Sequence, residues 1–131
     1  MFPDVELNLR NILANVSFVS DLLAPDGRVF TEWPQTKPDR AIRVRRLGGS
    51  PRGRPGHIDR ALVQIDVYAG SKTATFELAR AVATVLIHYS LPATDGVISD
   101  IAVASVIDSP DPDFEPPRPR YVLTATVTQH P

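Results

Sequence analysis

The chain has no cysteine, one methionine and one tryptophan among its 131 residues. Without thiols there can be no disulfide, no thiolate metal centre and no cysteine nucleophile. Long apolar runs are also missing. The longest, around Ala81 to Ile87, falls far short of the roughly 20 residues that span a bilayer. The acidic stretch Met1 to Glu6 lacks a basic segment followed by an apolar one, which predicts no signal peptide. These absences predict a soluble intracellular domain with no membrane partner. Net charge is nearly absent too, at −1, so no bulk field draws the protein to nucleic acid or lipid. A chain of this length buries roughly 68% of its unfolded surface, enough for a core without staples. One domain over residues 1–131 is expected.

What is present is unevenly spread. Seven of the twelve arginines fall between Arg40 and Arg60, while Asp108, Asp111, Asp113 and Glu115 cluster late in the chain. A basic and an acidic segment on one molecule suit packing against further copies of itself; as solvated loops they would do nothing. Thirteen prolines are about twice the usual share. Proline breaks helix interiors and cannot donate to a strand ladder, so these residues mark element boundaries.

Between the boundaries, Val5, Leu9, Ile12, Leu13 and Val16 recur at helical spacing behind Pro3, Asp4 and Glu6. Phe18 to Leu23 either continues that helix or makes a second short turn, and "APDG" at 24–27 stops it. "RVFTEW" at 28–33 reads as a short strand. "RAIRVRRL" alternates Ile42 and Val44 against Arg43 and Arg45, a strand with one wet face that Gly48-Gly49 ends. "DRALVQIDVYA" alternates Ala61, Val63, Ile65, Val67 and Ala69 against Arg60, Leu62, Gln64, Asp66 and Tyr68. The two strands are predicted to be antiparallel neighbours joined by a basic loop at 48–58. A helix with the stripe Phe76, Ala79, Val82, Ala83, Leu86 and Tyr89 follows. "VISDIAVASVID" at 97–108 is a strand with a bulge near Ser99-Asp100. The proline-rich acidic arm at 108–120 is predicted to be extended, and "YVLTATVT" to be the last strand. The expected class is α+β: a mostly antiparallel sheet of four to five strands with two helices on one face. Trp33 is expected beside a helix, and Tyr68 on the outer sheet face or at an interface.

Catalytic, cofactor-binding and metal-ligating residues are all predicted to be none. His57, His88 and His130 are scattered without a second ligand at metal-binding spacing. "GGSPRGRPG" lacks the Gly-Lys-Ser/Thr ending of a phosphate loop, and no serine sits in a Gly-x-Ser-x-Gly elbow. The string Pro51-Arg52-Gly53-Arg54-Pro55 matches the core of an AT-hook, a minor-groove arm. It lacks the flanking cations that supply phosphate contacts and lies between two strand patterns, where Gly, Pro and Ser are ordinary turn chemistry.

The order of segments has a counterpart. An N-terminal amphipathic helix precedes "VFTEWPQTKP". A strand ends in Gly-Gly, "IRVRRLGG". A strand then runs into an alanine-rich helix, "DRALVQIDVYAGSKTATFELARAVATVLI", and a proline-rich connector leads to "PRYVLTATV". This layout resembles the tail terminator (tail completion) proteins of long-tailed phages, especially of actinobacterial hosts, over nearly the whole chain. The resemblance implies a non-enzymatic protein. It implies a sixfold ring on the head-proximal end of the tail tube, assembled in the host cytoplasm, that stops polymerisation and offers a surface to the head. Its partners would be itself, the major tail tube protein and a head–tail connector or stopper, with non-specific contact to DNA in the lumen. On that reading Arg43, Arg45, Arg46, Arg52 and Arg54 on one side, and Asp111, Asp113, Phe114 and Glu115 on the other, are the inter-subunit or lumen contacts, with Phe114 anchored on a neighbour. The alternatives are a head-side connector and a small DNA-binding module using the Pro51–Pro55 loop.

Overall fold

The structure, a computed structural model, describes residues 2–24, 27–33, 38–52, 58–89 and 93–131. Their elements are α1 (Val5–Asn15), α2 (Ser17–Leu23), β1 (Arg28–Phe30), β2 (Ala41–Arg52), β3 (Ile58–Tyr68), α3 (Lys72–Ile87), β4 (Val97–Asp108) and β5 (Arg120–His130). The strands form one mixed sheet in the order β1-β2-β3-β5-β4, with β1 parallel to β2 and every other pair antiparallel.

Local chemistry explains the helices. The Asp4 carboxylate accepts from the Leu7 N–H at 3.1 Å and caps α1, satisfying one of the donors a helix start leaves open. The extended backbone of Val16 interrupts the run, so the first helical segment is two helices and the described residues hold three rather than two. Ser71 caps α3 through the Ala74 N–H at 3.2 Å. Thr75 ties that helix to the end of β3, accepting from the Ala69 N–H at 3.1 Å while donating to the Ser71 carbonyl at 2.6 Å.

The three helices cover one face of the sheet. Leu9, Leu13, Val19, Leu78, Val82 and Leu86 meet Ile42, Val44, Val63, Ile65, Val67, Leu123 and Val127 in one buried cluster. Each such side chain contributes about 1.5–3 kcal/mol on leaving water. The α3 stripe is rotated from its sequence reading. Leu78 and Ala81 are buried, whereas Phe76 stays 41% exposed and leans on Tyr121 at 5.5 Å between ring centroids.

Two strand readings change. The segment 28–33 is a strand only to Phe30. Gly48-Gly49 does not end β2: the ladder slips one residue between Arg46 and Gly48 and continues to Arg52 opposite Ile58. Gly49 has φ +91, and a Cβ there would overlap the Arg60 carbonyl, so the bulge requires glycine. Residues 48–52 and 58 of the anticipated 48–58 loop are therefore paired in the ladder, and 53–57 lie outside the described residues. The bulge expected near Ser99 is present between Ile98 and Asp100, with a second between Val103 and Ser105.

Candidate assembly surfaces

The alternation of β2 and β3 places charge on both faces. In phase with Ile42 and Val44 is Arg46; in phase with Ala61 and Val63 is Asp59; in phase with Leu123 and Val127 is Gln129. All three converge at one end of the core. Arg46 binds Asp59 through both terminal nitrogens, at 2.6 and 2.8 Å. Gln129 Nε2 donates to Asp59 at 2.9 Å and to the Pro3 carbonyl at 2.8 Å. Asn8 is buried beside them, donating to the Asp95 carbonyl at 2.8 Å and accepting from the Asp95 N–H at 2.7 Å. The Glu6 carboxylate accepts from the Arg46 backbone N–H at 2.9 Å. The Arg46 hydrogen bonds hold the Asp59 carboxyl below the usual carboxylate range, against the opposing effect of burial. This network fastens the start of α1 to β2, β3, β5 and the turn before β4. Arg46, anticipated as a subunit or lumen contact, has its guanidinium committed inside the chain.

The opposite face of the sheet is mixed: charged and polar side chains share it with the exposed Leu62 and Ile107. Register sets Arg43 opposite Asp66, and Arg45 opposite Gln64, which faces Thr124. Asp66 is buried, accepts from Gln64 Nε2 at 2.8 Å and lies 3.6 Å from an Arg45 nitrogen. The Nε atoms of Arg43 and Arg45 are buried with no hydrogen-bond partner among the described residues.

At the other end of that face lies the arm. It is a folded extension of the β4–β5 hairpin rather than an extended strap. Ser109 N–H donates to the Arg120 carbonyl at 2.9 Å, and Asp111 and Arg118 pair through both backbone groups, at 2.8 and 3.3 Å. The Tyr68 hydroxyl donates to the Asp111 carboxylate at 2.7 Å, and the Asp113 N–H to its second oxygen at 3.0 Å. The Arg118 guanidinium lies over the rings of Phe114, Tyr68 and Trp33, at 4.7, 4.9 and 5.7 Å from their centroids. It also donates to the Pro38 and Asp39 carbonyls. Trp33 packs edge-on against Tyr68 and Phe114, so it belongs to the outer face and not to a helix. Burial and the bond to Asp111 push the Tyr68 hydroxyl well above its ordinary pKa. Burial works to raise Asp111, but the Tyr68 and Asp113 hydrogen bonds and the charges of Arg120 and Arg118 bring it below its usual value.

Of the sequence-predicted contacts, Asp111 and Phe114 are engaged by their own chain. Arg43 and Arg45 sit half-buried on the outer face, and Asp113 and Glu115 are exposed near the arm tip. Arg54 and the side chain of Arg52 lie outside the described residues. Pro51 and Arg52 pair with Asp59 and Ile58 in β2, a ladder that a groove-binding arm would have to leave. Asp59, Gln129, Asn8 and Arg118 were not among the sequence-predicted residues, and Trp33 was expected beside a helix instead. For Asp59 and Gln129 the signal was their phase: polar groups in register with an apolar face need buried partners.

Among the described residues no group of three or more His, Cys, Asp or Glu side chains is placed to hold a metal. The sequence model of the Tail completion protein gp17 family matches residues 8–124. The chain belongs to that family. It is therefore a structural component of a phage tail, located in the virion tail. Among solved structures, a chain from the virion of the native gene transfer agent (GTA) particle shares the fold. Its TM-score is 0.73 at 10% identity, with 97% of this chain and 95% of that chain covered. A search of curated proteins finds no match.

Proposed function

We propose that this tail completion protein forms a sixfold ring on the head-proximal end of the tail tube, where it ends the addition of tube subunits and presents the surface that joins the head. It acts by binding and not by catalysis. Family membership over residues 8–124 carries this reading. The structure adds support of its own. A ring needs two different, complementary surfaces on each protomer, and this chain carries the Arg43 and Arg45 pair on its outer sheet face and an acidic arm tip outside its core. Its partners are further copies of itself, the major tail tube protein and a head–tail connector or stopper. DNA in the lumen meets it without base reading.

Regrowth of tail tubes tests the proposal. Purified tubes incubated with this protein and then supplied with fresh tube subunits should stop growing at the capped end. Continued elongation at both ends, with the protein unbound, would contradict the capping role. A head-side connector would instead bind the head portal and leave tube growth unchanged.

A further inference from the structure

Resting on the ring reading, we propose that the outer-face pair Arg43 and Arg45 receives the acidic arm tip, Asp113 and Glu115, of the neighbouring copy. The first observation is an incomplete cation site. Arg43 and Arg45 stand on adjacent outward positions of β2, with Phe30 of β1 and Asp66 and Gln64 of β3 as their cross-strand neighbours. Asp66 is the single carboxylate among these, and it is shared with Gln64. Two guanidinium groups thus face one partly engaged acid, and a buried Nε on each has no partner among the described residues. The two side chains are only half-buried, so the accessible part of each guanidinium can form a charge-assisted hydrogen bond with a carboxylate arriving from outside.

The second observation is a complementary anion. Asp113 and Glu115 are exposed, and neither forms an ion pair among the described residues. They flank Phe114, which packs against Trp33 and Tyr68 of its own chain. The tip is therefore held in place before any partner arrives, so docking orders few additional side chains. In a closed ring each protomer offers its tip to one neighbour and its arginine pair to the other.

Charge exchange on tail tubes tests the contact, with thermal melting as the check on folding. Arg43→Glu with Arg45→Glu, and separately Asp113→Lys with Glu115→Lys, should each weaken assembly at least about tenfold, as expected for close interfacial charge pairs. Mixing the two variants should place arginine faces and lysine tips on one protein against acidic tips and acidic faces on the other. Both contacts of an alternating ring are then complementary, the intact tip on the intact face and the lysine tip on the glutamate face, so the mixture should regain the ring that neither variant forms alone. All four changes in one chain should restore the ring. Should Arg43→Glu beside Asp66 unfold the protein, Arg43→Gln with Arg45→Gln replaces it. Combining that with Asp113→Asn and Glu115→Gln should then cost no more than either pair alone. Rings formed equally well by every folded variant, or strictly additive losses, would overturn the contact while leaving the ring reading standing. Wild-type protein that forms no ring on tubes would take down both.

Discussion

The two polar assemblies at opposite ends of the sheet are built from similar residues yet serve different ends. The Arg46–Asp59–Gln129–Asn8 network lies on the helix side and closes the core. Its groups are in phase with the apolar alternation, and each connects elements distant in sequence. The Tyr68–Asp111–Arg118 assembly lies on the opposite side and fastens a hairpin tip onto three rings. Breaking the first should unfold the protein; breaking the second should release an arm from an intact fold. The position of a charge within the strand period, rather than its presence, decides which role it takes.

The sharpest way to separate the two is Asp59→Ala. It strands Arg46 and a Gln129 donor in a buried site, and removal of one partner of such a pair costs about 3–5 kcal/mol. Urea denaturation should show that loss, with assembly failing only as the folded fraction falls. Gly49→Ala comes next: its strained φ and the overlap with the Arg60 carbonyl predict a loss of about 1–3 kcal/mol and a disturbed hairpin. Tyr68→Phe leaves the buried Asp111 carboxylate without one donor and should cost about 1–3 kcal/mol. Phe114→Ala should cost about 1–2 kcal/mol from lost ring contacts. In both of these arm variants proteolysis within 109–119 should rise while α3 and β3 amides keep their hydrogen-exchange protection. Equal deprotection of β3 would erase the distinction between the two ends.

Acid offers a gentler probe. Asp59 and Asp111 have folded pKa values below the ordinary one. Their contribution is complete above the unfolded value of about 3.9 and is lost as pH falls through the depressed folded values. The urea midpoint should hold from pH 7 to about pH 5 and then fall. Asp59→Asn should flatten part of that decline, and Asp111→Asn a smaller part. Tyr68 has the opposite sign: its raised pKa contributes stability that is present below about pH 10 and lost as pH climbs through the folded value. Arm protection from protease should therefore weaken in strong alkali.

Much of the sheet was legible because two-residue alternation survives folding. The faces of β3 and β5, the antiparallel hairpin and the first β4 bulge all follow from it. The Val16 break was legible only as one of two alternatives, since Phe18 and Leu22 keep an apolar spacing although both remain exposed. Gly48-Gly49 read as a terminator because glycine marks loops and bulges alike. At the arm, Asp111, Asp113, Phe114 and Glu115 were visible as a group. Their division into two locked and two exposed residues depends on Tyr68 and Trp33, 43 and 78 positions before Asp111 in sequence, the first joined directly and the second through the ring cluster. No local pattern carries such a pairing. The buried lock at Asp59 was signalled by its phase, but its partners Gln129 and Asn8 are fixed only by the folded register.

The most direct measurement is electron microscopy of purified tail tubes incubated with the wild-type protein. A single added disc is expected at one end of each tube, with sixfold averages in end-on views and the arm tips bridging adjacent protomers. Bare tube ends with the protein monomeric in the supernatant, or decoration along the tube wall without a terminal disc, would contradict the ring reading.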